Sequence, residues 1–562
     1  MRSFLAIRLY VLILAVTLLV SSCGSGGRNN SQTPPISVTT NASKLLPSPT
    51  ALVTLSSPTP EVVPTPKQQL MQPSPTAISE PTPIEQVNSR YIVDVRKVNR
   101  IIGRGKVRYF FSRPDIKPPT VTVRTSSKSI ADGYIFIAPK KGPGQSGPMI
   151  VDNQGEVVWF LPMRAGKRVL DFKVQNYKGN PVLTWWEGAL DMKLGSGKGD
   201  FVIMNMHYKE IARVKAGNGY YGDLHEFLIT PEGTALFLIY HPVTKDLSDL
   251  GGVKNTHVID GIVQEVDIES GRVLFEWHSL DHVGLDESYI PVPKNSGQRY
   301  DYFHANSIAL DKDGNLLVSA RHTWAAYKID RDTGNIIWRL GGKKSDFTFE
   351  SKAKFAYQHD VRRQPDGTIT LFDNVADSRK NGKSRGLVLR VDEQSKRVEL
   401  VKEYIHPDRI LSMTQGNMQI LSNGHVFIGW GSEPFFSEFD QEGNLLFDAQ
   451  LPTSYDNYRS YRFEWSGEPE SAPRIVAQRN RSQDKVIIYV SWNGATSVHN
   501  WEVLAGNTPG SLMSLGVSPK MGFETAILLK TNKQYFAVRA LDENGNVIGK
   551  SSVVKITNMG RD

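Results

Sequence analysis

"FHANSIALDKDGNLLVSAR" (residues 303–321), followed closely by "YKIDRDTGNIIWRLGG" (residues 327–342), decides the fold. The first stretch is an alternating strand, a turn containing Gly, and an apolar strand, which is a hairpin pattern. The second is an acidic residue, a turn, and a β-rich run carrying aromatics. Both patterns recur. The hairpin returns as "LDFKVQNYKGNPVLTWWEG", "LHEFLITPEGTALFLIY", "QHDVRRQPDGTITLFDN" and "GNMQILSNGHVFIGWG". The second pattern returns as "MIVDNQGEVVWFLP", "VQEVDIESGRVLFEWHS", "VLRVDEQSKRVELVKEY" and "FSEFDQEGNLLFDAQLP", with a degenerate copy in "FVIMNMHYKEIARV". Asp152, Asp267, Asp330, Asp392 and Asp440 mark the regular copies.

Self-similarity at this period means an array or a propeller. Two hairpins per unit make a four-stranded blade, and six units close radially without a free sheet edge. The expected fold is therefore all-β: a six-bladed β-propeller over 131–465. A stacked solenoid is the alternative. The irregular inserts at 241–258 and 281–300 favour the propeller, whose loops tolerate length variation, and they are the expected determinants of specificity. Residues 466–562 read as a small β-sandwich: "IIYVSWNGATSVHNWEVLAG" and "QYFAVRALDENGNVIGKSS" show paired strands around a tryptophan, a pattern that resembles a fibronectin type III module. Residues 91–130 form a short β-rich segment ahead of the propeller.

The N-terminal ninety residues have a different character. Arg2 and Arg8, the apolar run "LYVLILAVTLLV" and the small residues of "VSSC" make 1–22 a lipoprotein signal peptide. Cys23, the sole cysteine of the chain, then becomes a lipidated first residue resembling that of a bacterial lipobox, attached through its acyl chains. A single cysteine also rules out an intramolecular disulfide and any cysteine metal site. Residues 23–90 are rich in Pro, Ser and Thr and lack the apolar residues to fold, so they read as a disordered stalk. The expected location is extracytoplasmic, anchored to a bacterial cell-envelope membrane. Net charge is +9 over 562 residues, with Lys and Arg interleaved with Asp and Glu. No basic block points to nucleic acid.

Three successive hairpins carry a histidine at the start of their first strand: His225 in "DLHEF", His304 in "YFHANS" and His359 in "YQHDV". On neighbouring blades such positions converge on the mouth of the central channel. Arg321 returns to the same rim by hairpin geometry, and Asn306 shares the strand face of His304. The remaining histidines read as ordinary surface or core residues. His322 is among them, because alternation turns it away from Arg321. Three imidazoles could hold zinc, but the carboxylates at ligand spacing, Glu226 and Asp360, should face away, and a nearby arginine repels a cation. No metal and no cofactor is expected. Histidines with an arginine and an asparagine suit an oxyanion such as a phosphoryl or sulfuryl group.

At "HANS", "SARH" and "QHDV" the chain resembles the bacterial arylsulfate sulfotransferase family, whose members need no nucleotide sulfate donor. The resemblance implies a ping-pong transfer from an aryl sulfate to a phenol through a sulfohistidine. It matches His359 to the nucleophile, His304, Asn306 and Arg321 to the shell around the transferred group, and His225 to the second histidine beside the substrate oxygen. A neutral imidazole can attack sulfur and leave again. The partners implied are small aryl sulfates and phenols, with the membrane reached through the lipid. The competing readings are a non-catalytic propeller binding an anion or glycan, and a quinone- or metal-dependent oxidoreductase.

Overall fold

The structure is a computed structural model that describes residues 91–97, 100–102, 105–374, 382–479 and 485–558. The leader, Cys23 and the stalk lie outside the described residues. Among the described residues the chain is almost entirely β, and six sheets follow one plan of four antiparallel strands. Five are built in chain order. Blade II holds Arg168–Tyr177, Asn180–Asp191, Ser196–Met204 and Glu210–Val214; blade III begins at Phe227–Ile229 and ends at Val273–His278. Blade IV runs from Ala305–Leu310 to Ile336–Gly341, blade V from His359–Arg363 to Arg397–Tyr404, and blade VI from Asn417–Ile420 to Leu445–Gln450.

Blade I is assembled from both ends of this region. Tyr134–Ile137, Met149–Val151 and Val157–Phe160 supply three strands, and Tyr461–Phe463 supplies the fourth by pairing with Tyr134–Ile137. This late strand fastens the end of the ring to its beginning. Each neighbouring pair of blades shares one apolar cluster. Phe136, Trp159 and Phe172 join blades I and II, while Trp186, Phe227 and Phe237 join II and III. Further clusters join III to IV, IV to V and V to VI, and Phe436, Phe447 and Ile135 join VI back to I. Both faces of each blade are therefore buried, which explains why the inner strands read as apolar runs such as "ALFLIY" and "NLLVSA".

The segment before the propeller is built into its neighbours. Thr122–Ser126 adds a fifth strand to blade VI beside Leu445–Gln450. Ile92–Lys97 pairs with Glu524–Lys530 in the C-terminal region. That region has two sheets: one is ordered through Ile92–Lys97, Glu524–Lys530, Lys485–Ser491 and Arg474–Arg479, the other through Ser511–Pro519, Asn500–Thr508 and Tyr535–Leu541. Trp501, Val503 and Phe536 of one sheet and Val486, Ile488 and Ile527 of the other enter a single core, so the two sheets pack face to face as a β-sandwich.

Bulges shape the innermost strands. Register shifts fall between Leu170 and Lys173, between Ala305 and Ser307, and between His359 and Arg362. Asp171 and Asp360 stand within two of these shifts at φ of 56° and 58°, and His304, just before the remaining one, has φ of 54°, a left-handed conformation that a side chain seldom adopts unless surrounding structure imposes it. A bulge re-aims side chains at a strand end, and here it sorts them into two layers.

Candidate active site

The deeper layer is ionic. Arg459, fully buried, reaches Asp171 at 3.0 Å, Glu226 at 3.1 Å and the Asn306 carbonyl at 2.8 Å. Lys173 reaches Asp171 and Glu226 at 2.6 Å each, and Arg362 pairs with Glu226 and, at 2.8 Å, with Asp360. Three cations thus meet three carboxylates. These cations overcome the burial that would raise the Glu226 pKa and hold it far below the usual carboxylate range. Glu226 and Asp360 do face away from the histidines, into this layer.

The outer layer holds the histidines. They do not share one register: His359 is the first residue of its strand, His304 immediately precedes Ala305–Leu310, and His225 stands two residues before Phe227–Ile229. The rings of His225 and His304 still meet edge to face at 4.9 Å, and His225 stacks on Tyr240 at 5.4 Å. Each has a carboxylate on Nδ1: Asp223 Oδ2 at 2.5 Å for His225 and Asp301 Oδ2 at 2.5 Å for His304.

His359 is held differently. Its Nδ1 lies 2.7 Å from Asn374 Oδ1 and 3.1 Å from the Tyr357 carbonyl, both acceptors, so the proton belongs on Nδ1. Asn374 cannot turn its amide around, because its Nδ2 donates to the Ser412 and Gln415 carbonyls at 2.9 Å each. Nε2 consequently carries the lone pair, and it accepts the Gln415 backbone N–H at 3.2 Å. Burial, with the Arg321 charge next, pushes the His359 pKa well below 6.5; burial and the neighbouring His225 and Arg321 do the same to His304. Both imidazoles are neutral at neutral pH.

Arg321 follows His304 because the hairpin ladder continues, its N–H donating to the His304 carbonyl at 2.9 Å. Its guanidinium donates to His322 Nε2 at 2.9 Å and to the Met413 carbonyl at 3.0 Å, and lies 4.7 Å above the Tyr357 ring. Its Nε has no partner and no carboxylate pairs with it among the described residues. Burial lowers its pKa. A half-buried guanidinium that lines a cavity and has no carboxylate partner is a ready anion site.

Two expectations need correction. His322 does not turn away: its ring lies 4.6 Å from that of His304, and its Nδ1–H donates to the Asp301 carbonyl at 2.5 Å. The strand ends at Ala320, so alternation no longer governs residue 322. Burial pushes its pKa down to about 3. Carboxylates at ligand distance are also not limited to Glu226 and Asp360, since Asp301, His304 and His322 bring ligand atoms within 4.8 Å of one another. That trio fits a cation poorly. His322 Nε2 already accepts from Arg321, and both Nδ1 atoms donate to Asp301.

These groups open on a cavity of about 500 Å³ lined by His304, Arg321, His322 and His359. Leu170, Leu190, Leu194, Leu224 and Tyr458 supply an apolar wall. His225 lies behind His304 and does not line it. Nor does Asn306, which is fully buried and donates to the carbonyl of Gln358, the residue before His359, at 2.7 Å. The inserts at 241–258 and 281–300 do not line the cavity either. The hairpin turn at 191–196 does, with Gly195 beside His304, and Arg299 of the second insert clamps Asp191 at 2.5 and 3.0 Å. A larger groove of about 780 Å³ runs past Trp159, Tyr208 and Trp492 and is lined by none of His225, His304, His322 and His359.

A search of curated proteins finds no match. Similar solved structures include a protein of unknown function from Bacteroides caccae, at 15% identity and TM-score 0.35, covering 58% of this chain and 98% of that one. Another is a catalytically inactive virginiamycin B lyase from Staphylococcus aureus with quinupristin, at 8% identity and TM-score 0.30, covering 73% and 99%. A third is the extracellular domain of a hybrid two component system from B. thetaiotaomicron, at 10% identity and TM-score 0.32, covering 78% and 58%. Residues 173–451 match the family described as Arylsulfotransferase (ASST). That span contains His304, Arg321, His322 and His359, and over it the chain is similar to the arylsulfotransferase family.

Proposed function

We propose that the protein transfers a sulfuryl group from an aryl sulfate to a phenol in two displacements, without a nucleotide donor, with His359 as the covalent carrier. The observation that carries this reading is the state of His359: neutral, its Nδ1–H fixed on Asn374, its Nε2 lone pair at the cavity beside an arginine that lacks a carboxylate. In the first displacement the Gln415 N–H gives up its hydrogen bond to Nε2, whose lone pair forms a bond to sulfur while the sulfur–aryl oxygen bond breaks, releasing a phenolate. Arg321 meets the charge on the sulfonate oxygens as it develops. In the second, the acceptor phenol gives its proton to His304 Nε2, whose tautomer Asp301 sets, and its oxygen takes the sulfuryl group from His359. The proton on His304 then serves the next departing phenolate. Atoms and charge balance over the cycle, and Nδ1 of His359 keeps its proton throughout. In this reading His225 supports His304 from behind, and Asn306 holds the strand that presents His359.

Incubation with p-nitrophenyl sulfate and phenol should release nitrophenolate, and His359→Ala should abolish the release while the protein stays folded. Retention of full turnover by that variant would sink the assignment. A non-catalytic anion binder would release none even as wild type.

The sequence further supports an enzyme tethered outside the cytoplasm through lipidated Cys23. Cys23→Ser should then leave the membrane fraction and lose incorporation of labelled fatty acid; a variant that stays membrane-bound would contradict the tether.

A further inference from the structure

We propose that the substrates carry a second anionic group, a carboxylate or sulfate on the aromatic framework, which Arg168, Lys193 and Lys141 hold while the reacting oxygen lies at His359. This rests on the sulfuryl-transfer reading and names its substrate class.

The cavity holds more positive charge than one sulfuryl group needs. Lys140, Lys141, Arg168, Lys193 and Arg321 line it, against only Asp191 and Asp456. Asp191 is already bound by Arg299 through both oxygens. Asp456 is shared, 2.8 Å from Lys141 and 3.7 Å from Lys140. Lys140 is buried, donates to Gln415 Oε1 at 2.8 Å, and has its pKa pushed down by that burial. Arg168 donates only to the Lys167 carbonyl, at 3.1 Å. Among the described residues neither Arg168 nor Lys193 pairs with a carboxylate. An aryl sulfate ester is a monoanion, and Arg321 is placed to receive it.

The surplus also stands in a different part of the wall. Arg168 opens the first strand of blade II, Lys193 sits in the turn between its second and third strands, and Lys141 follows the first strand of blade I. Arg321 and His359 belong to blades IV and V, across a six-membered ring from I and II. The apolar residues Leu170, Leu224 and Tyr458 line the same cavity. A flat aromatic body against them, with one anion at Arg321 and another at the Arg168 side, would satisfy both ends. Lys193 and Lys141 are exposed and Arg168 is half-buried, so each contact counts for roughly a twofold to fivefold gain, and together for about tenfold.

Two arms test this. In the first, kcat/KM is measured for phenyl sulfate and 4-carboxyphenyl sulfate, on wild type and on the Arg168→Gln/Lys193→Gln double variant. Wild type should prefer the carboxylated donor by about tenfold at low salt, and the double variant should cut that preference to about twofold. Equal use of the two donors by wild type, or an undiminished preference in the double variant, overturns the proposal. In the second arm, calorimetry compares 4-hydroxybenzoate with phenol on the same proteins and needs no turnover. If neither sulfate ester reacts, sulfuryl transfer fails. Tighter binding of 4-hydroxybenzoate that depends on Arg168 and Lys193 still supports the second-anion site, and equal binding overturns it.

Discussion

Two clusters of charged and titratable side chains occupy the middle of the ring, and they are built on opposite rules. Around Arg459, every cation has carboxylates within about salt-bridge distance and every carboxylate is answered. Around Arg321, a guanidinium lies among neutral imidazoles with one donor unused. Both draw residues from the starts of inner strands, Asp171, Lys173, Glu226 and Asp360 for the first and His225, His304 and His359 for the second. A saturated network has nothing left to offer a ligand and reads as structure. The unsaturated one retains unmet demand for an anion and reads as chemistry. Buried groups whose pKa values are displaced by desolvation without a compensating partner are where function concentrates.

The contrast can be broken most forcefully at Arg459. Arg459→Met leaves Asp171 and Glu226 buried with too little positive charge, and unfolding free energy should fall by about 3–5 kcal/mol in urea titration. Arg321→Ala should behave in the reverse sense. It should lower kcat by about 10²–10³-fold, while stability changes by less than about 1 kcal/mol, since no buried carboxylate is orphaned. If the two variants lost equal stability, the distinction between the layers would fail.

Asn374→Asp sharpens the distinction within the outer layer. His225 and His304 have carboxylates against Nδ1, whereas His359 has an amide, which orients the ring without adding a charge beside it. A carboxylate at 374 should raise the His359 pKa and stabilise the sulfonated ring. The acid limb of the pH–rate profile should then move up by about one unit and turnover should slow roughly tenfold. A variant that loses rate with an unmoved profile would make Asn374 merely a packing residue.

The smallest expected effect is that of pH on the wild-type enzyme. Because His304 and His359 are held well below 6.5, kcat/KM should vary by less than about twofold between pH 7.5 and 6. Stability behaves otherwise. The unfolded chain takes up protons on these imidazoles as pH falls through ~6.5, whereas the folded protein does not, so stability is full above that pH and is lost progressively below it. Thermal melts across pH 7.5 to 5 check the sign, and a Tm that rises on acidification would contradict it.

Much of the architecture was legible because repetition is a strong signal. The hairpins carrying His225, His304 and His359 fall in successive blades, and the cavity brings His304, His359 and Arg321 to one place. What repetition could not reveal lies where the chain departs from it. The strand Tyr461–Phe463, which completes blade I, carries no repeat pattern of its own. His322 escaped because it sits two residues beyond the end of the strand, in a turn. Asn374 follows the last residue of the strand Ile369–Asp373, and only the folded hairpin places it against His359. Asp223 and Asp301 were within reach, standing two and three residues before their histidines as Nδ1 partners often do. The overhanging turn at 191–196 and the lysines at 140 and 141 owe their position to loop geometry, which spacing does not encode.

The central claim is a covalent bond on one nitrogen. The protein should be pulsed with p-nitrophenyl sulfate in the absence of phenol, digested under mildly alkaline conditions and examined by mass spectrometry. The peptide containing His359 should gain the mass of one SO₃ group and lose it when phenol is added. His359→Asn should show no adduct. An unmodified His359 peptide in protein that still turns over the donor, or an adduct on His304 or His225 instead, would contradict the account.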